Sequence, residues 1–191
     1  MKKLVLGWGF LCLLVPALAG ARARRGSFVD SPSNVKQAVF ANVGVVHGLY
    51  SVGYEREASR DTSWTLSGRL RPWFGPGYSS LEAGLTGSYR WWIAHYLPGV
   101  PSHALHGIFL GPQIVLDTYS VSFDRYASAS GFGIGGGCEA GYQYIFRPGL
   151  LANAGLAVGY LSGNANYAAG APPVSFGGSY AEGILSVGYA F

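Results

Sequence analysis

The chain has 191 residues, of which 49% are hydrophobic and 15% aromatic but only 12% charged. A typical soluble domain carries about 25% charged residues, so the composition argues against an ordinary cytosolic enzyme. The 30 glycines follow no Gly-X-Y repeat, which excludes a collagen, and the hydrophobicity excludes a charged disordered chain.

Met1-Lys2-Lys3 opens the chain with basic charge, and an apolar run follows from Leu4 to Ala19. This is the layout of a secretory signal peptide, with Ala17-Leu18-Ala19 as the small-residue cleavage site. The expected domains are a signal peptide at 1–19, a polar leader at 20–34 and a barrel at 35–191. A second site at Ala21-Arg22-Ala23 would move the cut to 23. An uncleaved anchor is the alternative, but the run is short for about 20 spanning residues and contains Gly7, Gly9 and Pro16. Cleavage would remove Cys12 and leave Cys138 alone, so no internal disulfide framework is expected. It would also remove Lys2 and Lys3, leaving eleven basic residues against nine acidic ones. The arginines at 22, 24 and 25 read as a solvated leader, and no nucleic-acid partner is expected.

From there the chain keeps a period of two, the signature of half-buried strands. Val39, Ala41, Val43 and Val45 suggest a first strand, and Tyr50, Val52 and Tyr54 alternate with Ser51, Gly53 and Glu55. Trp64, Leu66 and Leu70 follow against Thr65, Ser67, Arg69 and Arg71; then come Leu81, Leu85, Tyr89 and Trp91 against Glu82, Gly84, Ser88 and Arg90. Ile108, Leu110, Ile114 and Leu116 oppose Gly111, Gln113 and Asp117, although Pro112 interrupts the ladder. Alternation resumes at Cys138 to Phe146, Leu150 to Tyr160 and Leu185 to Phe191. Strands are expected at 36–46, 49–58, 63–72, 80–93, 105–120, 131–146, 150–162 and 180–191. Residues 36–58 also admit one long strand in place of a hairpin.

Eight alternating strands point to an all-β fold, a closed antiparallel up-and-down transmembrane barrel. Short turns at Ser59-Arg60-Asp61 and Arg147-Pro148-Gly149 fall on the side of the termini, and longer loops at 73–79, 121–130 and 163–179 on the other. The segment 94–104 and the tight turn at Gly48 fit this division less well. One face of each strand is Gly, Ser, Thr or Ala, as a narrow lumen requires, and the other is apolar, as lipid requires. A soluble lipocalin-like barrel would instead need a charged outer face. Tyr54, Trp64, Tyr89, Trp91, Tyr142, Tyr144, Tyr189 and Phe191 gather at one end of this topology as an interfacial girdle.

The phrases Ser-Val-Gly-Tyr at 51–54 and 186–189, with Gly-Ser-Tyr at 87–89 and Ala-Gly-Tyr at 140–142, form a loose hairpin repeat. The chain ends in Tyr-Ala-Phe, with Leu185, Val187, Tyr189 and Phe191 on one face. On these residues it resembles the small OmpA-like eight-stranded bacterial outer-membrane barrels over about 35–191. The resemblance implies a C-terminal assembly signal at those four residues, read by the barrel-assembly machinery, and delivery by periplasmic chaperones. It also implies residence in outer-membrane lipid as a monomer. No peptidoglycan-binding domain is expected after the barrel.

Glu55, Arg69, Arg71, Glu82, Arg90, Glu139 and Glu182 fall on the polar faces. Buried charges must pair, so these seven are expected to form an ion-pair network that plugs the lumen; its functional counterpart is a gate to a narrow solute channel. A lipid A-modifying enzyme is the rival reading. His95, His103 and His106 lie near Ser102, but no strand presents His and Ser together, and HExxH and P-loop spacings are absent. No catalytic residue, metal or cofactor is expected. The resulting function is a structural or surface-interaction role in the outer membrane.

Overall fold

The computed structural model describes residues 35–43, 49–93, 104–123, 127–146, 149–167 and 174–191. The chain divides into residues 1–30 and 31–191, and every described residue belongs to the second unit. The expected signal segment and leader lie outside the described residues, as do His95, Ser102 and His103.

Eight strands follow one another: β1 (Gln37–Val43), β2 (Tyr50–Ser59), β3 (Thr62–Gly75), β4 (Tyr78–Trp92), β5 (Gly107–Phe123), β6 (Ala127–Ile145), β7 (Leu150–Tyr167) and β8 (Val174–Ala190). Each pairs antiparallel with its neighbours, and β1 pairs with β8 to close the barrel. β1 and β2 are two strands of a hairpin, with Gln37 opposite Arg56. Followed strand by strand, Val39 lies in line with Tyr54, Leu66, Gly87, Ile114, Gly136, Tyr160 and Ser179. The closing pair sets Val39 opposite Tyr189, ten residues beyond Ser179. Eight strands with that stagger tilt by about 40° and enclose a wall of about 8 Å radius, given strand spacings near 4.8 Å. A bore so narrow leaves its inner side chains in mutual contact.

The wall is taller than the alternation suggests. The expected loop at 73–79 is a two-residue connection, Pro76-Gly77, with Gly77 at a φ of 79°. Most of 121–130 and 163–179 is strand, because β5 runs to Phe123, β6 starts at Ala127, β7 runs to Tyr167 and β8 starts at Val174. In these extensions the outward residues are Ser120, Ser130, Ser162, Asn164, Asn166 and Ser175, and the Tyr119 and Phe176 rings, 5.0 Å apart, stand among the inner ones, so the apolar residues no longer point outward. The period-two contrast therefore fades while the hydrogen-bonded ladder continues. Pro112 removes one donor, and the β4–β5 ladder skips from Ser88–Gln113 to Trp91–Leu110 at that point.

The outward face below those extensions is apolar, with Val52, Leu66, Leu85, Ile114, Ile134, Leu156, Val158 and Val187 all exposed. Inside, at the end where the chain terminates, an apolar floor closes the lumen. Trp92, Leu105, Phe109, Ile145 and Leu151 are buried there with Ala38 and Ala190. The Trp92 and Phe109 rings lie 5.5 Å apart, and the Trp92 indole N–H donates to Ser63 Oγ at 3.0 Å. Leu105 adopts a φ of 74°, a strained choice for a bulky residue; its side chain packs into the floor while its carbonyl accepts from Gln143 at 2.9 Å. This floor sits on the inner face, where only small and polar residues were expected. The substitution Trp92→Ala should lower the unfolding free energy of the barrel by about 3–5 kcal/mol. Urea titration checks this, and a loss below about 1 kcal/mol would contradict a packed floor.

Candidate functional site in the lumen

All seven charged residues expected on the polar faces project into the lumen, where they form two clusters around arginines. Next to the floor, Arg90 on β4 reaches Glu55 on β2 at 3.1 Å and Glu139 on β6 at 2.7 Å. The remaining acceptor capacity of both carboxylates is taken up: Ser63 donates to Glu55 at 2.6 Å, Gln143 to Glu55 at 3.2 Å and Ser88 to Glu139 at 2.6 Å. The Arg90 guanidinium also stands 4.2 Å from the centre of the Phe109 ring, which couples this cluster to the floor. Burial is nearly complete, with Glu55 at 0%, Arg90 at 3% and Glu139 at 5% exposure.

Farther from the termini, Arg69 on β3 makes a two-pronged contact with Asp117 on β5, its Nε donating at 2.8 Å and its Nη2 pairing with Oδ2. Arg69 also meets Glu82 at 3.2 Å and Glu182 at 3.3 Å, and Arg71 meets Glu82 at 3.0 Å. Asp117 had been placed on the polar face of its strand but not joined to the charged set; it is the carboxylate that holds Arg69 most closely. Five carboxylates thus face three guanidiniums, and every one of the five contacts an arginine.

The two clusters use the same device. Arg69 pairs in register with Gly84, and Gly84 with Asp117, so the guanidinium crosses a glycine to reach the next strand but one. A Cβ at Gly84 would run into the Asp117 carboxylate and the Leu116 carbonyl. Gly111 pairs with Glu139, and a Cβ there would come within 3.1 Å of Arg90 Cα. A side chain at either glycine would displace its arginine or shift the wall. Other inner glycines make room for rings: Gly53 for Phe40, Gly131 for Tyr119, Gly141 for Phe109, and Gly137 and Gly159 for Tyr180.

Between the clusters lies a cavity of about 40 Å³, lined by Phe40, Asn42, Leu49, Ser51, Ile184 and Ser186 and by Arg69, Arg90, Glu139 and Glu182 among others. The polar positions Gln143, Asn153, Ser186, Asn42, Ser51 and Arg69 follow one another along a single ladder row from the lower cluster to the upper. Of the expected histidines, His106 is described: it is buried, its Nδ1 accepts from the Ile145 N–H at 3.3 Å, and its ring packs on Tyr144 at 5.0 Å. Leu185, Val187, Tyr189 and Phe191 all face outward on β8 or just after it, and the Phe191 carbonyl accepts from the Lys36 and Gln37 N–H groups.

The lower cluster generates a paired prediction. Arg90→Met leaves two buried carboxylates without their cation and should cost about 3–5 kcal/mol. Adding Glu55→Gln and Glu139→Gln should restore most of that loss in a denaturant titration, because the uncompensated charge is removed. No recovery would mean that packing against Phe109, and not the ion pairs, carries the effect. Gly84→Ala should likewise destabilise, by about 1–3 kcal/mol, and Asp117→Ala in the same chain should relieve part of it.

No curated protein matches the chain. A family model described as Protein of unknown function (DUF3575) matches residues 16–172. That span covers most of the chain, including the whole of β1 to β7, and the chain therefore belongs to the DUF3575 family.

Proposed function

We propose that this protein is a bacterial outer-membrane barrel with a structural or surface-interaction role, its lumen filled by charge and closed by the apolar floor. The observation that carries the reading is the outward belt. On β7 the outward residues run Leu150, Ala152, Ala154, Leu156, Val158 and Tyr160 without a polar side chain before Ser162. Ten residue steps at about 3.3 Å along a strand tilted by about 40° span about 25 Å of the barrel axis, the height of the apolar band of such barrels. Exposure of Val52 at 70% and Phe74 at 81% makes sense when the surrounding medium is apolar.

The ends of the belt agree with this. Tyr54, Trp64, Tyr89, Trp91, Tyr142 and Tyr189 ring its lower edge on the outward face, with Tyr54 and Trp64 5.4 Å apart. Rings with a polar edge favour the boundary between hydrocarbon and water. Serines and asparagines begin where the belt stops, on strands that continue beyond it. Closure of the sheet leaves the paired part of the wall without an open edge in hydrocarbon, as spanning demands. The basic, apolar and small-residue order of residues 1–19 supports export through a cleaved signal, and the outward aromatic end of β8 supports recognition by the barrel-assembly machinery. Chaperoned transit and a monomer in outer-membrane lipid complete the reading. The packed floor and paired lumen favour a closed barrel over a solute channel.

The protein should sediment with outer membranes and migrate faster on gels before boiling than after it. Recovery in the soluble periplasmic fraction would overturn the placement. Deleting Phe191 should reduce the heat-modifiable fraction in cells, while equal assembly without it would remove the C-terminal signal from the account.

A further inference from the structure

The lower cluster does not balance. Every ion pair of Glu55 and Glu139 among the described residues is made with Arg90, so two buried carboxylates share one guanidinium. Their other partners are neutral, the hydroxyls of Ser63 and Ser88 and the amide of Gln143. The His106 imidazole, lower in the barrel, adds no charge, since its Nδ1 accepts the Ile145 N–H. One negative charge is left over where water barely reaches, and an uncompensated charge is costly there.

Beside that cluster the inner wall carries polar atoms with nothing to bind. Gln143 on β6, Asn153 on β7 and Ser186 on β8 are neighbours on one ladder row. They are 0%, 2% and 1% exposed. Gln143 uses its Nε2 on Glu55 and on the Leu105 carbonyl, which leaves its Oε1 unpartnered. Both amide atoms of Asn153 and the Ser186 Oγ have no hydrogen-bond partner among the described residues either. Buried polar atoms of this kind need one. Strands about 4.8 Å apart bring the inner side chains of neighbours onto a common point. Three neutral oxygens therefore converge beside the surplus charge. Ser186 also lines the lumenal cavity together with Glu139, Asn42 and Ser51. Its volume of about 40 Å³ exceeds the roughly 10–15 Å³ that one water needs.

Water alone would satisfy these atoms and leave the charge. A proton on a carboxylate would remove the charge and leave the oxygens. A cation answers both needs. Multivalent ions draw on several acidic or imidazole ligands, and among the described residues no three His, Cys, Asp or Glu side chains are placed to hold a metal. A single positive charge matches the single surplus one. We propose that Gln143 Oε1, Asn153 Oδ1 and Ser186 Oγ, beside Glu139, form a site for one monovalent alkali cation seated against the β6–β8 wall. The ion exchanges most of its hydration for these oxygens and keeps a water on the cavity side, to which Asn153 Nδ2 donates. It neutralises the Glu55–Arg90–Glu139 cluster and ties three adjacent strands together just above Leu151 of the floor. The site is the same whatever medium surrounds the wall, so it stands or falls separately from the membrane placement.

The test is equilibrium dialysis of the folded full chain against radioactive sodium, with thermal unfolding in sodium, potassium or N-methylglucamine chloride at constant chloride concentration. One ion should bind per chain. Sodium or potassium should raise the unfolding midpoint by about 5–10 °C once it exceeds its dissociation constant a hundredfold, and the bulky N-methylglucamine should not. Ser186→Ala and Asn153→Leu should each weaken binding by about tenfold or more. Glu139→Gln, which leaves Arg90 paired with Glu55 alone, should abolish it, and near-ultraviolet circular dichroism verifies that each variant is folded. No uptake of sodium and no effect of potassium on the native chain would overturn the site and leave water as the occupant of the row. Binding undiminished in both Ser186→Ala and Asn153→Leu would place the ion elsewhere and overturn it too. Binding unchanged in Glu139→Gln would overturn the role of the surplus charge. Equal stabilisation by N-methylglucamine would reduce the effect to screening, and displacement of sodium by an equal concentration of calcium would overturn the preference for a single charge.

Discussion

The interaction on which the barrel depends is a guanidinium that passes over a glycine to reach a carboxylate two strands away. A wall of about 8 Å radius leaves no room for hydrated ions along its axis. Charges inside it must neutralise one another or carry a desolvation cost of several kcal/mol each. Arg69 does this across Gly84 and Arg90 across Gly111, and each arginine binds carboxylates from at least two other strands. The clusters therefore lace strands that are not neighbours in the hydrogen-bonded ladder. They also specify register, because a slip of one residue would turn every inner charge outward.

That lacing divides the lumen into levels. The apolar floor lies at the terminus end, with the Arg90 cluster bound to it through Phe109. The cavity comes next, and the Arg69 cluster and the taller part of the wall stand above it. β3 to β8 are each longer than the described parts of β1 and β2. The low charge of the chain follows from the same arrangement. The outward belt carries none, and nearly all the described charges are either paired inside or placed near the strand ends.

Much of this was legible in the residues themselves. Alternation located all eight strands, and the parity of each strand put Glu55, Arg69, Arg71, Glu82, Arg90, Glu139 and Glu182 on one face. Three features escaped it for physical reasons. Asp117 shares the parity of Gly111 and Gln113, but nothing local shows that Gly84 opens a path from it to Arg69, since that path depends on register between strands. The upper parts of β5 to β8 turn Ser and Asn outward and set rings such as Tyr119 and Phe176 among small inner residues, so the apolar-outward contrast that marks the strands below is lost where the ladder persists. The floor defeats the pattern in the opposite way: Trp92, Phe109 and Leu151 are large and apolar on a face otherwise small or polar, because that end of the lumen is sealed by packing.

The proposed membrane placement requires the outward belt to meet lipid. Cys138 is an exposed outward residue in the middle of the belt on β6, between Pro112 and Val158 in the ladder. A spin label at Cys138, in a chain whose Cys12 is replaced by serine, reports that side directly after reconstitution into phospholipid vesicles. The account predicts high collision rates with dissolved oxygen and almost none with a water-soluble nickel chelate. Free collision with the nickel chelate would contradict it, since the belt would then face water.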